Sequence, residues 1–344
     1  MNFNHFLSSH LLDPACGARR LYGEMVEQAV AAERLGYSGV AIPEHHLINI
    51  LLVPSPLQLA VRIAAVTQRI EIVTSIAVLP IRDMRIFAGE VSQASALCEG
   101  RLVLGVGRGA FAYEVGRLGV PIETTKHKFA ESLAVLEALL TREEVSWNGD
   151  YYNFDPITVM PRPERPIPLM LAVMVPDGIY ESARKGYWVQ TTPLQASHGV
   201  LLEQVNAFKR GAAEARHTGA SPRLSLQRGL YCARNAQDAK EQLDRAFRYY
   251  ERFDNIFTGP GIVDRGIVRP LAAKYSREDL AESLIICEAS EMVDRLAAYA
   301  EAGIHEVLAT SNFGQPQAET LDMMERFSAE VMPHFTTARM RTVA

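Results

Sequence analysis

The chain has 344 residues, 48% of them hydrophobic, enough to bury one large core. Its formal net charge of −5 offers no basic surface to attract nucleic acid, and no apolar run reaches the roughly 18 residues of a membrane span. Met1-Asn2-Phe3-Asn4-His5 lacks the cationic-then-apolar order of a secretory signal. Cys16, Cys98, Cys232 and Cys287 form no CxxC pair, so they read as buried or incidental thiols of a reducing cytoplasm, without disulfides or structural zinc.

Phe3 to Leu7 reads as a first strand. Leu21, Met25, Ala29, Ala32 and Leu35 then recur at helical spacing, stopped by Gly36. Gly39–Ile42 is a second short apolar strand, ended by Pro43. After Pro54, Ser55 is placed to cap a helix over Leu57–Thr67. Glu71–Leu79 is nearly unbroken in apolarity, as a strand buried on both faces should be. Asp83 opens a helix to Leu97, Gly100 ends it, and Arg101–Val106 is a fourth strand. Lys126–Leu140 is helical, and Val145–Phe154 reads as an inserted hairpin turning at Asn148-Gly149.

A proline-rich connector, Pro161 to Pro168, leads to strand five, Pro168–Val173, and to a helix through Lys185. Tyr187–Thr191 is strand six, Ala196–Arg216 a helix, Leu224–Cys232 strand seven and Ala236–Phe253 a helix. Regular pattern then fails across Thr258–Pro270, the composition of a functional lid or loop. Glu288–Ala302 is helical with Gly303 as its cap, Glu306–Thr310 is strand eight, and Gln317–Val331 is the last helix. Steady alternation of eight strands with helices predicts an α/β fold, a TIM (β/α)8 barrel with insertions and a lid after strand seven, as one domain over 1–344. A doubly wound open sheet is the alternative, but no Gly-rich dinucleotide loop follows strand one.

In such a barrel the site lies past the strand ends. Those ends carry Ser8-Ser9-His10, Glu44-His45-His46, the run Thr74–Pro80, and Gly107-Arg108-Gly109. Glu44-His45-His46 has three readings: a solvated turn, a metal site, or acid–base work at a cofactor. Adjacent imidazoles on extended chain face opposite ways, and no HExxH or HxH pattern occurs, so no metal is assigned. Gly107-Arg108-Gly109 is either a tight loop or a phosphate cradle, glycines admitting backbone N–H groups and arginine adding a charged fork. Lys126, His127 and Lys128 read as a solvated helix start. Phe247, Tyr249, Tyr250, Phe253 and Phe257 are core or pocket wall. Trp188 either packs or flanks a flat ring.

Together these segments resemble the bacterial luciferase-like flavin-dependent monooxygenases. The carriers are Asn2–Leu7, Ala32–Tyr37, Pro43-Glu44-His45-His46, Thr74–Pro80, Gly100–Gly109 and Val331-Met332-Pro333, in that order and spacing. The resemblance implies a barrel that binds reduced FMN at its C-terminal mouth, supplied by a separate NAD(P)H:flavin reductase. O2 then gives a C4a-hydroperoxyflavin that oxygenates a small organic substrate. It implies catalytic roles for His45 and Glu44; His46, which should point the other way on extended chain, reads as structural. It places Arg108, with Gly107 and Gly109, at the flavin phosphate, a non-prolyl cis peptide at Ser75-Ile76 beneath the ring, and a cytoplasmic homodimer. Two departures stand out. Gly107 replaces the thiol that luciferases carry there. After strand five, Val173–Gly178 replaces the family's Glu/Ser/Thr phosphate ligands, leaving the backbone N–H groups of Asp177 and Gly178 for that task. A deazaflavin-dependent hydride-transfer enzyme and a non-catalytic flavin-binding protein are the rival readings on this fold; a metal-dependent barrel hydrolase is more remote.

Overall fold

The computed structural model describes residues 1–193, 198–215 and 221–335. In chain order the elements are β1 (Asn2–Phe6), α1 (Gly17–Arg34), β2 (Gly39–Ile42), α2 (Pro56–Ala64), β3 (Glu71–Thr74), β4 (Ala77–Val78), α3 (Met84–Leu97), β5 (Leu102–Gly107), α4 (Ala112–Arg117) and α5 (Thr125–Thr141). There follow β6 (Val145–Asn148), β7 (Asn153–Ile157), β8 (Leu169–Ala172), α6 (Pro176–Arg184), β9 (Trp188–Thr191), α7 (His198–Glu214), β10 (Leu224–Ala233) and α8 (Ala236–Phe257). The chain finishes with β11 (Val263–Asp264), β12 (Ile267–Val268), α9 (Arg277–Ser283), β13 (Ile285–Glu288), α10 (Ala289–Ala302), β14 (Glu306–Thr310) and α11 (Gln317–Glu330). Ala196 and Arg216, the ends expected for α7, lie outside the described residues.

β1, β2, β3, β5, β8, β9, β10 and β14 pair in that order, all parallel. The ring closes because β10 pairs with both β9 and β14. This is the TIM barrel expected from the alternation. Its strands are apolar throughout because both faces are covered, inward by Phe6, Ala41, Val73, Val103, Met170, Trp188 and Leu308, outward by the helices. Gly303 ends α10 in the left-handed region at φ 88°, which a residue without Cβ adopts freely.

Several local expectations need correction. The run Glu71–Leu79 is not one strand. It breaks at a cis peptide between Ser75 and Ile76, where the family resemblance had implied one, and β4 resumes pairing with β5 two residues later. At this break a Cβ on Gly105 would lie 1.9 Å from the Thr74 carbonyl oxygen, so the two chains meet more closely than side-chain-bearing strands do. Ser55 stands at the N-cap of α2 but its hydroxyl makes no capping bond; Pro56 begins the helix instead, with no N–H to satisfy. The β6–β7 turn is longer than Asn148-Gly149, because the Glu131 carboxylate gathers the backbone N–H groups of Asp150, Tyr151 and Tyr152.

α8 continues past Phe253 to Phe257, whose rings stack at 5.5 Å. Thr258–Pro270 is not irregular: β11 and β12 form a small hairpin within it. Asn255 organises this segment, donating to the carbonyls of Ile262 and Arg269 and accepting from the Ile262 N–H. α9 and β13 escaped the sequence pattern. β13 pairs only with the C-terminal half of β10, outside the barrel ring.

Candidate active site

Pro43 follows the buried strand β2 and the next three side chains fan out over the barrel mouth. Glu44 turns inward and is 2% exposed. Its carboxylate accepts from the Val78 N–H at 3.0 Å, from Arg82 Nη1 at 2.7 Å and from His46 Nε2 at 2.7 Å. It therefore fixes β4 and the His46 ring, and makes no contact with His45. His45 turns the other way. Its Nδ1 lies 2.8 Å from Glu114 Oε2, and its ring stacks on Phe111 at 4.5 Å and 13°. The His46 backbone N–H donates to the other Glu114 oxygen. Each histidine thus has its own carboxylate, and the two rings do not converge on one point. Among the described residues no group of three or more His, Cys, Asp or Glu is placed to hold a metal ion.

Glu114 was not singled out by sequence. It lies in α4, a helix of six residues too short to show periodicity, and no spacing motif links it to His45. Only the fold marks it, as a carboxylate buried to 6% exposure, where acidic residues seldom lie unless paired.

The cis Ser75-Ile76 peptide stands at the end of β3. Ser75 Oγ donates to Gln190 Oε1 at 2.9 Å, Gln190 Nε2 donates to Gln227 Oε1 at 3.1 Å, and Gln227 Nε2 donates to Thr310 Oγ1 at 3.3 Å. This chain crosses the mouth from β3 to β9, β10 and β14. Around it the hydroxyls of Ser8, Ser9, Thr191 and Ser311 are buried without a partner among the described residues. Buried hydroxyls normally find partners, so these strand ends are built to meet a polar ligand or water.

Arg108 is exposed just past β5 and has no ion-pair partner among the described residues. Gly109 beside it has φ 79°. Gly107 makes room for a neighbour: a Cβ there would lie 2.7 Å from Ile76 Cδ1. β8 is the barrel neighbour of β5, so α6, which follows β8, starts near Arg108. Asp177 and Gly178 occupy its first turn after Pro176, and no side chain caps that turn. Its leading N–H groups remain free to meet an anion.

The mouth is walled by Ile48, Ile50, Phe111, Ile256 and Val268. Val268 reaches it from the β11–β12 hairpin, held by its N–H donating to Asn49 Oδ1 at 2.9 Å. Phe253 and Phe257 stand edge-on to Phe111 at 6.1 and 5.8 Å. Part of the α8 aromatic cluster is therefore site wall, while Phe247 packs on Tyr275 away from it. Trp188 packs inside the barrel with the Arg223 guanidinium 4.0 Å from its ring centre, and does not flank the mouth. Lys126 and His127 are exposed at the start of α5. Burial pushes the thiols of Cys98, Cys232 and Cys287 up to about 11, leaving them protonated and inert. No helix among the described residues is long and apolar enough to cross a membrane.

The family profile described as luciferase-like monooxygenase matches residues 1–306. This chain belongs to that family. Among this family member's relatives is the oxygenase component of the flavin-dependent trigonelline monooxygenase of Acinetobacter baylyi, 25% identical over 99% of this chain and 97% of that one. An F420-dependent glucose-6-phosphate dehydrogenase of Beutenbergia cavernae is 27% identical over 93% of this chain and 95% of its own length. Of solved structures, the monooxygenase RslO1 from Streptomyces bottropensis superposes with a TM-score of 0.85 at 20% identity, covering 97% of this chain and all of that one. The oxygenating constituent of 3,6-diketocamphane monooxygenase from Pseudomonas putida, solved with FMN, superposes at 0.78 with 18% identity over 97% and 98% of the two chains. These structural likenesses establish the barrel.

Proposed function

We propose that this chain is the oxygenase component of a two-component monooxygenase. It takes reduced FMN from a separate NAD(P)H:flavin reductase, and O2, and places one oxygen atom on a small organic substrate. The single observation that carries this reading is the His45–Glu114 pair on an aromatic wall, across the same mouth from an unpaired Arg108. The same reading takes 1–344 as a single barrel domain working as a cytoplasmic homodimer.

The residues present fit a flavin. Arg108, the turn at Gly109 and the N–H groups of Asp177 and Gly178 would hold its phosphate. Ser75 and Ile76, with the buried hydroxyls around them, would meet its ring. Bound reduced flavin supplies two electrons and the carbon that activates O2. The protein supplies the rest. A carboxylate only accepts, so Glu114 keeps the His45 hydrogen on Nδ1 and leaves Nε2 basic, able to hold or return a proton. Glu44 and Arg82 lock β4 behind the histidines. Phe111, Ile256 and Val268 exclude water.

The test is titration with FMN and reduced FMN, then O2 uptake with a reductase across aldehydes, ketones, sulfides and aromatics. Reduced FMN binding with substrate-dependent O2 uptake is expected. The Beutenbergia cavernae relative supports a second reading, hydride transfer to a deazaflavin. Substrate-dependent reduction of F420 without O2 uptake would establish that reading instead.

A further inference from the structure

A cavity of about 240 Å³ opens beside the mouth, between α8 and the segments that follow β1 and β14. Arg245, Arg248 and Arg252 line it, and no acidic side chain does. Their spacing places three guanidinium groups along one side of α8. Arg245 is paired with Glu319. Arg248 and Arg252 have no carboxylate partner among the described residues, and Arg252 Nη1 donates only to the Arg248 carbonyl at 3.0 Å. Neighbouring cations of this kind repel one another until an anion joins them.

The remaining wall is flat and apolar. Tyr249 and Phe313 rings stand 6.0 Å apart, and His10 lies 4.9 Å from Tyr249. His10 Nε2 donates to the Asn312 carbonyl at 3.0 Å. Burial pushes its pKa down to about 4, so the ring is neutral and Nδ1 is a bare acceptor, itself buried and unpartnered. A forked cationic end and an aromatic wall describe the complement of a small planar acid, and the neutral acceptor is placed for a donor elsewhere on the molecule. The volume is below the roughly 300–1,000 Å³ of drug-sized pockets, which suits a molecule of the size of benzoate. From Tyr249 the aromatic wall runs on to Phe253 at 5.8 Å, then Phe111, then the His45 ring.

We propose that this cavity anchors the carboxylate of a small organic acid, with Arg248 and Arg252 as its ligands. Its role as the substrate's anchor rests on the oxygenase reading above; the binding itself does not.

The test measures binding to the full chain without flavin, by calorimetry, with benzoate, benzamide and inorganic phosphate as probes. Saturable benzoate binding is expected, with benzamide at least tenfold weaker. Arg252→Gln and Arg248→Gln should each weaken benzoate by about ten- to a hundredfold, the share of one charge-assisted hydrogen bond, with far-UV circular dichroism and Tm unchanged. Equal affinity for benzoate and benzamide, or no loss in either variant, overturns the proposal. Phosphate binding tighter than benzoate would overturn the carboxylate assignment and make the cavity a phosphate site. Because no flavin is present, a failure here is separate from a failure to bind reduced FMN or consume O2.

Discussion

His45 Nδ1 and Glu114 Oε2 meet at 2.8 Å although 69 positions separate them in the chain. The contact fixes both the imidazole's tautomer and its position against Phe111. Glu114→Gln keeps the shape but presents an amide whose nitrogen can donate, so the tautomer is no longer imposed. We expect turnover with reductase and O2 to fall about ten- to a hundredfold, the scale of misplaced proton transfer. Affinity for reduced FMN should hold. His45→Ala should lose at least as much, and the double variant should lose no more than His45→Ala alone. Additive losses in that cycle would separate the two residues.

Glu44 is the other carboxylate of the mouth, and we expect it to act by positioning its neighbours. It is buried and joins Arg82, His46 and the Val78 N–H. Glu44→Ala leaves the Arg82 guanidinium without its carboxylate and the Val78 N–H unpaired. The expected cost is about 3 kcal/mol of unfolding free energy, read from urea denaturation. Arg82→Met in the same background should recover part of it, since the stranded charge is then gone. No recovery would show that the loss comes from elsewhere.

Two glycines of β5 face the break between β3 and β4 with different tolerances. At Gly107 a Cβ would meet the end of a flexible side chain, Ile76 Cδ1 at 2.7 Å. Gly107→Ala should cost about 1–3 kcal/mol. Most of that should vanish in the Ile76→Ala background, measured as a double-mutant cycle. At Gly105 the obstacle is the Thr74 carbonyl at 1.9 Å, which is backbone and cannot move aside. Gly105→Ala should not yield folded protein. Soluble Gly105→Ala with wild-type Tm would mean that β3 and β5 are not so closely apposed.

The barrel was legible because its strands are buried on both faces, so runs such as Gly39–Ile42 and Leu224–Cys232 stand out as short apolar blocks between helices. The same property hid from the apolar pattern the break in Glu71–Leu79, which only the family resemblance marked, at Ser75-Ile76. Ile72, Val73, Ile76, Ala77 and Val78 are apolar on either side of it, and burial alone carries no record of where a chain leaves its ladder. The β11–β12 hairpin has two residues in each arm and is held by Asn255 and Asn49, residues outside it, so its local signal, the Arg265-Gly266 turn between Val263-Asp264 and Ile267-Val268, is slight. The site divided in the same way. His45, Glu44 and Arg108 are visible because each sits past a strand end. Glu114 is visible only once α4 folds back over β2's exit, a contact between that short helix and the loop after β2.

His5 gives the protein a pH dependence that is independent of the active site. It is fully buried in β1, with Nε2 donating to Gln28 Oε1 at 3.0 Å and Nδ1 unpartnered. Burial lowers its pKa from 6.5 to about 4. Between those values the unfolded chain binds a proton that the folded chain refuses. Stability therefore rises with pH through that window and is lost as pH falls from about 6.5 to about 4. The contribution is on the order of 3 kcal/mol for a shift of about 2.5 pH units. His5→Gln, which keeps a donor toward Gln28 but cannot titrate, should reduce the dependence of unfolding free energy on pH across that range, leaving the share of the similarly buried His10. It should leave stability at pH 5 relative to pH 7.5 higher than in the parent. Parallel pH profiles for the two proteins, measured by urea denaturation, would show that His5 does not contribute.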